Sequence, residues 1–382
     1  MKIFTPRIQL LITLILLANF SFSQTSWRGT SSTKWSTSAN WTNGVPSATK
    51  GAILGDANFS GSNQPTVDKT SSCKSISIGG TVATTLTASK NLTVSGDLLI
   101  NANGVISQGN SSLSLTGSWT NNNTYSYSNN NARVIFAGVA QSINGSSVTA
   151  FRKLTVNTGS TLTMNVDFTT NNVFTVNGTI NPNTPTTYTV SPNSMTLNSG
   201  GKLLVYASTF TGNYSTNPTV NSGSTVEYAS TLINQTVSSS LTYATLIISG
   251  TTVKSLAANL PALRSTASSQ GNIFVKGGTF DLLTYTANRG TSTTGGNFNI
   301  DNGATVKIGG TNGFPSNYSN KAFQLSSTVH YYGTNQTVLA ETYGNIIFSS
   351  SSGAVTKTMP GTAFTVEGNL TSNLGSGSSV SY

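Results

Sequence analysis

A short motif that keeps returning constrains this chain more than any other feature. It reads apolar, Ser/Thr, apolar, any residue, Gly, small polar, apolar. Copies stand at Leu92-Thr-Val-Ser-Gly-Asp-Leu98, Leu113-Ser-Leu-Thr-Gly-Ser-Trp119, Phe174-Thr-Val-Asn-Gly-Thr-Ile180 and Phe364-Thr-Val-Glu-Gly-Asn-Leu370. The first two start 113 − 92 = 21 residues apart, and the next follows after 174 − 113 = 61, close to three such steps. A second motif, Asn/Asp-x-Gly before an apolar residue, recurs at Asn157, Asn198, Asn221 and Asp301, at gaps that are near-multiples of about 20. A third motif is longer. Its copies are Val134-Ile-Phe136 with Gln141 and Phe151 to Val156, Val226-Glu-Tyr228 with Gln235 and Tyr243 to Ile248, and Val329-His-Tyr331 with Gln336 and Tyr343 to Phe348.

Alternate apolar residues within each copy describe a strand with one buried face. Leu92, Val94 and Leu98 are expected to point inward, and Thr93 and Asp97 outward. Gly96 falls at a corner, where a Cβ would crowd the neighbouring coil. A strand every ten residues or so also suits a sandwich or a propeller. The period favours a solenoid, because it equals one coil rather than one four-stranded blade. No two-residue Asn-Gly hairpin loop recurs either. The fold expected is all-β: a right-handed parallel β-helix of about 22 residues per coil, with almost no helix.

Residues 1–23 read as a secretory signal peptide. Lys2 and Arg7 precede the apolar run Leu10 to Ala18, and cleavage is expected before Gln24. That run is too short to span a bilayer, which takes roughly 20 residues, so no membrane span is expected once the signal is gone. Residues 24–70 form a candidate N-terminal capping segment, and 71–382 the β-solenoid repeats. The chain stops where another coil is due, so a longer parent with further domains is expected.

The capping segment holds Trp27, Trp35 and Trp41. Two uses are open to them: plugging the first coil against edge-to-edge association, or offering a glycan-binding platform on which sugar rings stack.

Composition narrows the function classes. Charged residues are only 7% of the chain, against 36% hydrophobic, and the apolar residues are patterned, which argues against a disordered stalk. Without the signal, 19 − 2 = 17 basic residues face 9 acidic ones, a balance of +8. Those charges are scattered and read as solvated, so no nucleic-acid partner is expected. An extracellular polysaccharide or cell-surface ligand suits an exported chain better. The single cysteine, Cys73, allows no internal disulfide and is expected to be buried.

No catalytic residue, metal ligand or cofactor site is expected. The nine acids (Asp56, Asp68, Asp97, Asp167, Glu227, Asp281, Asp301, Glu341 and Glu367) form no local cluster for glycosidic or calcium chemistry. His330, the only histidine, sits at an outward strand position without a Gly-x-Ser-x-Gly partner motif.

The run from Cys73-Lys-Ser-Ile-Ser-Ile78 through Leu92, Leu113 and Val134-Ile-Phe-Ala-Gly138 to Phe151-Arg-Lys-Leu-Thr-Val156 resembles the β-helical surface proteins of Bacteroidetes-type bacteria. The Trp27 to Pro46 opening is similar to their mature N-termini. The resemblance implies type IX secretion and a structural or adhesin-like role at the cell surface. It supplies no catalytic residue. A polysaccharide-binding module, and then a polysaccharide lyase or hydrolase, are the rival readings.

Overall fold

A computed structural model describes residues 23–185, 188–264 and 270–382. The signal segment 1–22 lies outside the described residues. Two compact units are present, one ending at Ala132 and the other running from Arg133 to Tyr382.

Each unit is a parallel β-solenoid. In the first, the coils from Ser71 to Tyr127 have three faces. One coil is made of Leu92–Val94, Leu98–Ile100 and Gly104–Gln108, and the next of Ser112–Leu115, Trp119–Asn121 and Thr124–Tyr127. Corresponding strands stack in parallel: Leu92 on Leu113, Leu98 on Trp119, Ile106 on Tyr125. The residues read as inward are inward. Leu92, Val94 and Leu98 have no exposed surface, while Thr93 and Asp97 are exposed. Removing each such side chain from water stabilises the fold by roughly 1.5–3 kcal/mol, but only once the coils above and below are in place.

Gly96 and Gly117 mark the same corner on successive coils. A Cβ on Gly96 would stand 2.7 Å from the Lys74 carbonyl oxygen. A Cβ on Gly117 would run into the backbone of Gly96 and lie 2.5 Å from the Asp97 nitrogen. The second motif uses glycine differently. Gly159, Gly200, Gly223 and Gly303 have φ of +78°, +78°, +75° and +77°. Each is the third residue of a turn closed by a backbone bond, as from Ser160 N to Asn157 O at 3.1 Å and from Ala304 N to Asp301 O at 3.0 Å. Here the need is for left-handed backbone rather than for space, since nothing lies within 4 Å of a Cβ on Gly159 or Gly303.

The long motif in the second unit spans one coil and stacks its own two ends. Val134 and Phe136 register with Leu154 and Val156, Val226 and Tyr228 with Leu246 and Ile248, and Val329 and Tyr331 with Ile346 and Phe348. Coil length is not constant. It is 174 − 154 = 20 residues at Leu154 and 272 − 245 = 27 at Thr245. The glutamines of the motif are buried and bridge the corner. Gln336 Oε1 accepts from Gly333 N at 2.9 Å, and its Nε2 donates to Ile308 O at 3.0 Å and Asn312 O at 2.9 Å. Gln235 repeats this with Ser230 N, Val205 O and Ala207 O. Beside each of these two glutamines, a tyrosine pair meets hydroxyl to hydroxyl, Tyr228 with Tyr243 at 3.2 Å and Tyr331 with Tyr343 at 3.3 Å. The first copy carries Phe136 and Phe151 at these places, so its corner has no such bond.

Asparagine ladders run between coils as well. Asn165 Nδ2 donates to Asn144 Oδ1 at 2.7 Å, and Asn198 and Asn221 link to Asn177 and Asn198 at 2.8 Å each. Among the described residues helix is confined to the single turns Ser38–Asn40 and Phe210–Asn213. Among the described residues no helix is long and apolar enough to cross a membrane.

Stacking starts earlier than expected. Ser23–Ser26 pairs in parallel with Lys50–Leu54, and that strand pairs with Ile76–Ile78, so the segment assigned to capping already holds two rungs. The motif is weak there, because a long segment with three tryptophans separates the two paired strands in sequence.

Candidate functional site

The three tryptophans are interior. Trp27 and Trp35 are 0% exposed and Trp41 3%. The Trp41 ring meets those of Trp27 and Trp35 edge-on, with centroids 5.0 and 4.7 Å apart. Trp27 Nε1 donates to Asn63 O at 2.8 Å, and Trp41 Nε1 to Trp35 O at 2.7 Å. A glycan platform needs an open indole face, and none of the three has one. Their composition could not distinguish a plug from a platform, because both need large flat side chains.

Cys73 is buried, as expected, and burial pushes its thiol up to about 12. The reading of all charges as solvated needs correction at four positions, Asp281 at 7% exposed and three cations. Lys254 and Lys357 are 0% exposed and Arg289 is 1%. Carbonyl, hydroxyl and amide oxygens compensate them. Lys357 Nζ donates to Gly333 O and Thr334 O at 2.9 Å each and to Gln336 Oε1 at 2.6 Å. Lys254 Nζ donates to Ser230 O at 2.8 Å and Thr252 Oγ1 at 2.9 Å. Arg289 donates to Gln270 O and Ser292 O at 2.9 Å and Thr294 O at 3.0 Å. Both lysines stack on the motif glutamines, Lys254 on Gln235 and Lys357 on Gln336.

Burial lowers each lysine from its ordinary 10.5 to about 8. Below that value folded and unfolded chains are both protonated, and stability does not change. Above it the unfolded chain still holds protons that the folded chain has released, so stability rises with pH. Above about 9 the buried Cys73 opposes the rise, and above about 10 the buried tyrosines do, since unfolding frees them to ionise. Unfolding free energy in urea is expected to climb by about 2 kcal/mol between about pH 7.5 and 9. The double variant Lys254→Met/Lys357→Met should show a flat profile there; a wild-type profile that falls would contradict the assignment.

A charged cluster gathers around the buried Asp281. Asp281, Lys307 and His330 register on three successive coils. Tyr332 lies back across Gly309, and its hydroxyl donates to Asp281 Oδ1 at 2.9 Å. Lys307 Nζ sits 3.6 Å from Asp281 Oδ2 and 4.6 Å from the Tyr332 ring centroid. His330 Nε2 is 2.8 Å from Ser349 Oγ. Partial burial, and then the Lys307 ammonium, hold the imidazole below its ordinary value, against the pull of Asp281. The carboxylate is taken up elsewhere: Oδ1 also accepts from Leu283 N at 3.0 Å, at a leucine held at φ +51°. A serine and a histidine are thus in contact, but both oxygens of Asp281 serve Tyr332, Lys307 and the backbone. Sequence reasoning placed His330 outward and missed its neighbours, which are 330 − 307 = 23 and 330 − 281 = 49 residues away. The available signal was the shared third place in Thr279-Phe-Asp281, Thr305-Val-Lys307 and Thr328-Val-His330. Among the described residues no three His, Cys, Asp or Glu gather as a metal site.

Two adjoining clefts open on the second unit, of about 160 and 240 Å³. Ser240 lines both. The smaller one is edged by Thr209, Thr211, Thr236, Ser238 and Ser239, and the larger by Thr219, Leu241, Thr242 and Arg264. The larger lies where the parallel sheet containing Lys153–Val156, Phe168–Val176 and Val190–Leu197 ends at the edge strand Thr219–Val220. Along that sheet Thr155, Thr175, Thr196 and Thr219 stand in register, one per coil. The ladder therefore runs into the larger cleft through Thr219.

No family model matches the sequence, and no curated protein or solved structure is significantly similar to it.

Proposed function

We propose that this chain is a secreted, cell-surface adhesive and structural module without catalytic activity, and that its partner is an extracellular polysaccharide. The observation that carries this reading is the threonine ladder Thr155, Thr175, Thr196 and Thr219. Stacked strands repeat at about 4.8 Å, so the ladder presents a straight row of hydroxyl groups on a backbone that the packed core holds rigid. Each hydroxyl contributes little alone. A row that meets a repeating polyhydroxylated chain gains through many simultaneous contacts. The apolar leader and the resemblance to Bacteroidetes-type surface solenoids support export, with type IX secretion as the route.

Retention of protein-coated beads on dextran, cellulose and polygalacturonate surfaces tests this reading. Wild type is expected to be retained on at least one of them, and Thr155→Ala/Thr175→Ala/Thr196→Ala to lose most of that retention while keeping its melting temperature within a few degrees. Equal retention of the two proteins would remove the ladder from the account.

A further inference from the structure

The larger cleft has a chemical character that the ladder alone does not. Its lining includes Arg264, and the Nε of that guanidinium has no hydrogen-bond partner. The ion pairs of the described residues use Lys202, Lys307 and Lys321, so Arg264 has no carboxylate of this chain beside it. A planar guanidinium with free donors is suited to bidentate pairing with a carboxylate. Thr219, Ser240 and Thr242 line the same cleft, and Thr219 ends the outer ladder. With no acceptor of its own, the guanidinium of this cleft-lining arginine leaves its outer donors for an acceptor that enters the cleft.

We propose that this cleft binds the carboxylate of a uronic acid residue within an acidic polysaccharide. Arg264 pairs with the carboxylate, and Thr219, Ser240 and Thr242 exchange hydrogen bonds with the sugar hydroxyls. This assignment rests on the polysaccharide reading of the outer ladder and adds a preference for acidic over neutral chains. The chemistry selects an anion of carboxylate shape, and sulfate esters are the competing source of such an anion.

Affinity electrophoresis of the full chain through gels containing polygalacturonate, dextran sulfate or dextran tests the assignment. Arg264→Gln is expected to weaken polygalacturonate binding by about tenfold, with an unchanged circular dichroism spectrum. Lys276→Gln, which removes an exposed charge elsewhere in the unit, should leave binding within about twofold. Equal losses in the two variants would reduce the effect to general charge attraction and overturn the site. No loss in Arg264→Gln would overturn it too. A loss on dextran sulfate as large as on polygalacturonate would overturn the carboxylate assignment. If wild type binds dextran but gains nothing from uronate, only this inference falls. If it binds none of the three gels, this inference falls, and the outer-ladder reading falls with it only when cellulose retention is also absent.

Discussion

Gly117→Val is expected to prevent the first unit from reaching its native packing. The side chain would have to enter the volume of the Gly96 backbone, with its Cβ 2.5 Å from the Asp97 nitrogen as well. Neither obstacle is the end of a flexible side chain. Both are main chain of the coil below, tied into place by Gly117 N donating to Gly96 O at 3.1 Å and Ser118 N to Asp97 Oδ1 at 2.7 Å. To relieve the clash the two coils must separate, which breaks the contacts of Leu92 with Leu113 and of Leu98 with Trp119 on either side of the corner. Overpacking a well-filled core costs about 1–3 kcal/mol when neighbours can shift. Here they cannot shift without breaking the ladder, so the cost is expected to exceed roughly 3 kcal/mol, with loss of soluble protein. Gly159→Ala gives the contrast. Its φ is +78° and its Cβ would meet nothing within 4 Å, so only backbone strain is added, about 1 kcal/mol. Soluble yield, and urea unfolding of whatever remains soluble, separate the two uses of glycine. Similar destabilisation in both would mean that coil spacing is not what Gly117 serves.

The fold was legible because its signal is periodic. Alternation in Leu92-Thr-Val94 gives the inward face, and the interval from Leu92 to Leu113 equals the coil that stacks one on the other. The long motif was also legible as a repeat. Its meaning was not, since nothing in Val226 to Ile248 says that the two ends lie against each other until the register is known. Charge was misread for a physical reason. Lys254 occupies a polar position by composition but an inward one by parity, and the oxygens that receive its ammonium are main-chain and hydroxyl groups invisible to any count of acidic partners. The candidate site was the least legible part. The larger cleft joins Thr219, Ser240 and Arg264, which share no motif and come together only because coil length changes locally and the sheet stops at Thr219–Val220. Sequence did isolate the tryptophans, and could not tell that their faces are spent on one another.

The core, the corner glycines and the outer ladder all depend on successive coils lying in parallel and in register. Thr93 and Ser114 report on that arrangement, because they are registered partners on adjacent coils and both point away from the core. Their Cα atoms should lie about 4.8 Å apart, the spacing of hydrogen-bonded strands. A dibromobimane cross-linker that fluoresces only after both arms have alkylated a thiol reads such a pair directly. The native Cys73 adds no background while the chain is folded, being buried and held in its thiol form. The double variant Thr93→Cys/Ser114→Cys is expected to become fluorescent to near completion. Thr93→Cys/Thr116→Cys, displaced by two residues along the strand, should react at both thiols without bridging them. Fluorescence from the displaced pair, or none from the registered pair, would contradict the stacked parallel coils.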